Sequence, residues 1–111
     1  MIVQDPKVPL GHERSGHWRS VRAAHLLTHP ACAACGGTDH LECHHIVPFH
    51  VDSSRELDPS NIIVLCEHPS HNDHLIFGHF LNFKHWNPNV VHDAIRFLAG
   101  LHAAIAAART A

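Results

Sequence analysis

LECHHIVPFHVDSSRELDPSNIIVLCEHPSHNDHLIFGH, residues 41–79, decides how this chain is read. It opens on the pair His44-His45, and Asn61 follows sixteen residues after His45, inside PSNIIVLC. A histidine-loaded segment comes next, holding His68, His71, His74 and His79. Residues 41–49 alternate weakly and read as a strand, with Pro48 near its end. Residues 50–60 are a polar loop. Residues 61–66 (NIIVLC) are β-branched and apolar, hence a second strand. His68-Pro69-Ser70 breaks the chain, and a helix is expected over residues 71–80. The order is strand, loop, strand, helix.

Working outward, residues 1–13 read as a loose arm, because Pro6, Pro9 and Gly11 block regular structure. A helix is expected over residues 16–28, with Ser15 as its N-cap. Trp18, Val21 and Ala24 fall on one face, extended by His25, while Arg19 and Arg22 share another side. His29-Pro30 ends it, since a residue before proline is pushed away from helical angles. Residues 82–89 form an aromatic-containing connector. A last helix is expected over residues 90–109. Its apolar stripe (Val91, Ala94, Ile95, Leu98, Leu101, Ile105) is assigned to core packing.

Composition bounds the answer. A chain of 111 residues is one domain, and one this small gains from a structural metal. No run of about 18 apolar residues is seen, so no membrane span is expected. The N-terminus lacks a signal-peptide layout, which points to a cytoplasmic location with its four cysteines as ligands or free thiols. The formal charge is −2, eight Lys+Arg against ten Asp+Glu, short of the basic balance of most nucleic-acid binders. Bound divalent ions add positive charge that this count omits, and Lys7, Arg14, Arg19 and Arg22 cluster before the first cysteine. Fifteen histidines are present. The central ones fall at motif spacings and not in a tract, which disfavours a metal-storage protein.

Cys32-Ala-Ala-Cys35-Gly36-Gly37 is a metal knuckle. Two cysteines separated by two residues chelate one tetrahedral zinc, and the glycines permit the turn that follows. A redox role would want a βαβ context, which is absent. Cys66 is the third ligand. Cys43 sits in a strand directly before His44 and is a poor fourth. His71 is the first choice to close the site and His68 the second.

These residues resemble the HNH endonuclease family, of the phage or bacterial type, over residues 14–79. The resemblance implies a small α+β fold: a ββα-metal (His-Me finger) core with an embedded zinc ribbon, flanked by an N-terminal and a C-terminal helix. Residues 1–111 would be a single nuclease domain, with residues 80–111 as connector and C-terminal helix. The family closes its ribbon with a second CxxC, where this chain has Pro69. By resemblance His44 binds the catalytic metal, and His45 is the general base that activates water, a task suited to imidazole. Asn61 orients that base, and the helix supplies His74 and His79 as further ligands. His71 would join His74 there if His68 takes the zinc, and Asn72 is a weaker candidate.

The implied activity is metal-dependent hydrolysis of DNA phosphodiesters, nicking one strand because the chain holds one such constellation. The alternative is a non-catalytic zinc-ribbon module that binds nucleic acid. Implied cofactors are a structural Zn²⁺ and a catalytic Mn²⁺, Mg²⁺, Co²⁺ or Ni²⁺. Arg14, Arg19, Arg22 and Lys84 are the candidate phosphate contacts. DNA is the expected partner, with no membrane, and the expected state is a monomer, a weak dimer being the other option.

Overall fold

An apolar run buried on both faces is the spine of the molecule. Ile62, Ile63, Val64, Leu65 and Cys66 form strand β2 (Ile62–Cys66), and all five are buried. Strand β1 (Leu41–His45) pairs with it antiparallel, in register from Leu41 against Cys66 to His45 against Ile62. The computed structural model describes residues 15–110. Around the two-stranded sheet it places helix α1 (Trp18–Thr28), a π-helix (His74–Gly78) and helix α2 (Val90–Thr110). The fold is small α+β.

β1 is shorter than the expected 41–49. After His45 the chain bends away, and the Ile46 amide donates to the Asn61 carbonyl at 2.8 Å. The loop that follows is more ordered than its composition suggests. Two 3-10 turns, Ser53–Arg55 and Pro59–Asn61, each begin on an aspartate that accepts from the backbone two residues on. Asp52 takes the Ser54 amide at 3.1 Å and Asp58 the Ser60 amide at 2.9 Å. These Asx turns let a polar segment hold one path.

α1 starts at Trp18, two residues later than expected, because Ser15 caps a preceding turn and accepts the His17 amide at 3.1 Å. Its inner side is Trp18, Val21, Arg22 and His25, while Ala24, expected on that side, is exposed. Arg22 docks the helix on β1. Its guanidinium donates to the Leu41 carbonyl at 3.4 Å and to Glu42 Oε2 at 3.0 Å. Both partners are about a third exposed (33% and 39%), so this ion pair contributes at most about 1 kcal/mol.

The third core element is not the α-helix expected over residues 71–80. It is a π-helix of five residues, started by Asn72, whose Oδ1 accepts the Leu75 amide at 2.9 Å. Asn72 therefore serves as a cap of this turn.

The core is small: Cys32, Ala34, Ile63, Leu65, Cys66, Val90 and Ala94, with Leu41, Ile46 and Phe77 packed against it. Two of its seven buried members are cysteines of the expected zinc site, so that site and the core share residues. The C-terminal stripe departs from expectation. Val90 and Ala94 are buried, but Val91, Ile95 and Ile105 are exposed, and from Ala99 to Arg109 only Leu101 is partly covered. The core is simply too short to reach the second half of α2. By length and composition α2 is long and apolar enough to cross a membrane, although His92, Asp93, Arg96 and His102 interrupt its apolar run.

The packing yields a stability contrast. Leu65→Ala, at a fully buried site, should cost about 2–5 kcal/mol. Ile95→Lys, at a position 60% exposed, should stay within about 0.5 kcal/mol. Urea denaturation of the zinc-loaded protein measures both.

Candidate metal centres and active site

Two groups of side chains converge in a way that would hold ions. The first is Cys32, Cys35, Cys66 and Asp73, whose ligand atoms all lie within 4.8 Å of one another. Three chain segments deliver them. The knuckle turns on Gly36, whose φ of +76° suits glycine, and on hydrogen bonds from the Cys32 amide to Gly37 O and from the Gly36 amide to Cys32 O. The Ala33 amide donates to Val64 O at 2.9 Å, tying the knuckle to β2. Cys66 ends β2, and Asp73 immediately precedes the π-helix.

The distances test the fit. A tetrahedral zinc with Zn–S of about 2.3 Å and Zn–O of about 2.0 Å sets S···S edges of about 3.8 Å and S···O edges of about 3.5 Å. Cys35 Sγ and Cys66 Sγ are 3.8 Å apart. Asp73 Oδ2 lies 3.3 Å from Cys32 Sγ and 3.4 Å from Cys66 Sγ. The donor set therefore fits zinc. Burial pushes the Cys35 thiol up to about 12, against the opposing donation of the Gly37 amide, and raises the Cys66 thiol as well. Ion uptake must displace those protons, so it weakens as pH falls.

His71, the expected fourth ligand, is not in this group. Its ring stacks on His68 with centroids 4.6 Å apart, and both rings face the Ser70 hydroxyl. Only the His71 carbonyl approaches Cys66 Sγ, at 3.4 Å. Pro69 and Ser70 form a tight turn that swings both histidines to the rim, and the chain then brings Asp73 in. An aspartate ahead of a helix reads as an ordinary helix-start residue, which is why the sequence did not single it out. Cys43 stays apart, with its thiol near Arg22 O at 3.9 Å.

The second group is His44, His74 and His79. His44 Nδ1 is 3.0 Å from His74 Nε2, which is 3.1 Å from His79 Nε2. The rings meet edge to face, at 65° to 88°, so their nitrogens aim inward. Nitrogens at right angles about an ion, with metal–N of about 2.1 Å, would be about 3.0 Å apart. The donor set fits a divalent ion. A hydrogen bond to an outer partner fixes the His79 ring, as in metal sites generally, and a carboxylate lies near the His74 ring. His79 Nδ1–H donates to His85 O at 2.7 Å, and His74 Nδ1 faces Glu67 Oε2 at 3.5 Å. Both leave Nε2 for the ion.

The π-helix explains the His74–His79 spacing. On an α-helix, residues five apart diverge by about 140°. The wider winding of a π-helix returns residue i+5 to the same face. Gly78 lets this helix sit against His44, since a Cβ there would meet the imidazole at 3.0 to 3.3 Å. Asn87, fully buried, holds the far side. Its amide donates to Gly78 O at 3.0 Å, and its side chain donates to Phe77 O and Asp93 Oδ2.

His45 points to the other face of β1, as strand alternation requires. Its Nε2–H donates to the Glu56 carbonyl at 2.8 Å, which leaves Nδ1 as the basic nitrogen, and Trp18 packs on its ring at 4.4 Å. Asn61, expected to orient the base, bonds the backbone that follows His45 and not its ring. Its Oδ1 accepts the Val47 amide at 2.8 Å, and its Nδ2 donates to Val47 O and Arg55 O. Asn61 instead pins both ends of the loop whose Glu56 carbonyl holds His45. His44, His45, His74 and His79 line one cleft of about 830 Å³, together with Trp18, Arg22, Leu81, Phe83 and Lys84.

Of the expected phosphate contacts, Arg19 and Lys84 are exposed, Arg22 is engaged with Glu42, and Arg14 lies outside the described residues.

Gly78→Ala should weaken ion binding at the three histidines at least about tenfold while leaving zinc content unchanged, because the new methyl displaces only His44. Isothermal titration with Mn²⁺ and metal analysis of the same sample would show both.

Residues 32–68 match the family model described as HNH endonuclease. Neither the curated proteins nor the solved structures include a match to the chain. The matched stretch, a third of the chain, contains the CxxC knuckle, the His44-His45 pair, Asn61 and all of β2, and over it the chain is similar to the HNH endonuclease family.

Proposed function

We propose that this chain is a metal-dependent DNA endonuclease that nicks one strand, and that β1, β2 and the π-helix are its version of the ββα-metal core. The observation that carries this reading is the pairing within one cleft. Three imidazole nitrogens converge on one point, and the next residue along β1 is a histidine held with one nitrogen basic. A binding module has no use for such a base.

A divalent ion at His44, His74 and His79 would polarise the scissile phosphate and stabilise the leaving 3'-oxygen. The rest falls to the chain itself. His45 Nδ1 takes the proton from the attacking water, and the Glu56 carbonyl stabilises the resulting imidazolium through Nε2–H. Trp18 limits the ring's rotation by packing on it. Asn61 supports the base through the loop backbone and not by touching it. Zinc at Cys32, Cys35, Cys66 and Asp73 is structural in this reading, a closed site with no open position. Lys84 and Arg19 meet phosphates. A cytoplasmic setting fits four cysteines that form no disulfide, and one active site per chain favours a monomer that cuts one strand at a time.

Supercoiled plasmid with Mn²⁺ tests the proposal. Open circles should accumulate well before linear product. His45→Ala should lose at least about 100-fold in rate with zinc content and melting temperature unchanged. Mn²⁺, Co²⁺ or Ni²⁺ should outperform Ca²⁺, which prefers an oxygen shell. A metal-replete protein that retains plasmid without cutting it would favour the non-catalytic ribbon module instead.

A further inference from the structure

Immediately after His79 the backbone does something that its side chains disfavour. Phe80 and Leu81 have φ of 50° and 67°, two consecutive residues with bulky side chains in the left-handed region. That region crowds Cβ against the backbone and is normally left to glycine or asparagine. Hydrogen bonds lock the turn: the Leu81 amide donates to Leu75 O at 2.8 Å, and the Asn82 amide to His79 O at 3.0 Å. The result is that both apolar side chains face solvent, Phe80 53% and Leu81 70% exposed. Strain and exposure each cost the free fold, and the pair does not belong to the core cluster. Backbone strain held in place by its surroundings marks functional segments.

Position indicates the function. Leu81 lines the cleft that holds the three-histidine centre, with Phe83 and Lys84 beside it. Phe83 packs behind the tip on His79 and His74, with centroids 4.8 and 5.7 Å away. Lys84, three residues beyond Leu81, is exposed and places a cation beside the apolar tip. A tip of two residues is far smaller than the roughly 800 Å² per partner of a stable protein interface. It does match the size of an apolar wedge that enters one base step of a duplex.

Resting on the nuclease reading above, we propose that Phe80 and Leu81 form a wedge that unstacks a base step of duplex DNA laid across the cleft. The opened step bends the duplex, and the bend carries a backbone phosphate toward His44, His74 and His79. The rigid left-handed turn keeps the wedge extended before DNA arrives, so no ordering is needed on binding.

The test uses the full chain and duplexes with 2-aminopurine in place of adenine at TA steps, the most easily unstacked. Binding by the His45→Ala protein should raise 2-aminopurine fluorescence. Adding Phe80→Ala and Leu81→Gly should abolish that rise. In the cutting-competent background the same pair of changes should slow duplex cleavage about tenfold or more. A mismatched step in the duplex should restore most of the loss, because its unstacking is already paid for. Glycine suits a φ of 67°, so the Leu81→Gly protein should melt at or above the parent temperature, which a merely structural role would not predict.

No fluorescence rise with the parent, or undiminished cleavage by the double variant, would overturn the wedge. So would sedimentation showing that the tip joins two copies of the chain. The fluorescence measurement needs binding alone. A chain that binds and unstacks duplex but cuts nothing in Mn²⁺ would keep the wedge and reject the nuclease reading.

Discussion

The rest of the structure is arranged around four ligand atoms that meet in one pocket. Cys32 and Cys35 come from the knuckle, Cys66 from the end of β2, and Asp73 from the entry to the π-helix. The hydrophobic core beside them is small, and a zinc bound there would add folding free energy on the order of 10 kcal/mol in such units. Asp73 is the consequential member. The next residue is His74, so the group that completes one centre also positions a ligand of the other. An ion held there would fix where the π-helix begins, and the π-helix brings His74 and His79 together.

Several local rules give way near the cleft. A π-helix replaces α-helix so that His74 and His79 share a face. Gly78 forgoes a side chain to admit the His44 ring. Phe80 and Leu81 accept left-handed backbone angles and solvent. Away from the cleft the fold is conventional, with a buried apolar strand, Asx turns and a helix docked through Arg22. Natural chains concentrate such departures at working sites and compensate elsewhere; here the compensation comes from the four-ligand pocket and from buried Asn87.

Much of this was legible in the sequence. NIIVLC has the β-branched, apolar run of a strand, and CxxC-Gly-Gly has the spacing and turn of a metal knuckle, and both cysteines do join one ligand cluster. His44, His74 and His79 were singled out together, and they do converge. Three things were hidden, each for a physical reason. Asp73 looks like any acidic residue at a helix start, and only the turn at Pro69-Ser70 brings it to the sulfurs in place of His71. A π-turn of five residues is too short to reveal its period, so a helix of unspecified winding was the most that spacing could offer. Asn61 carries four hydrogen-bonding positions, and which of them the loop backbone would take depends on a fold of residues 46–56 that propensity does not encode. The C-terminal stripe misled because amphipathic spacing reports a face and not whether a core reaches it.

The central claim is that three sulfurs and the Asp73 carboxylate form the structural centre. Zinc K-edge X-ray absorption on protein carrying one equivalent of zinc tests it most directly. The account predicts a first shell of three sulfurs and one oxygen, changing on Asp73→Ala while the three sulfurs remain. A shell of three sulfurs and one imidazole nitrogen, unchanged by Asp73→Ala, would contradict it and return the fourth position to His71 or His68.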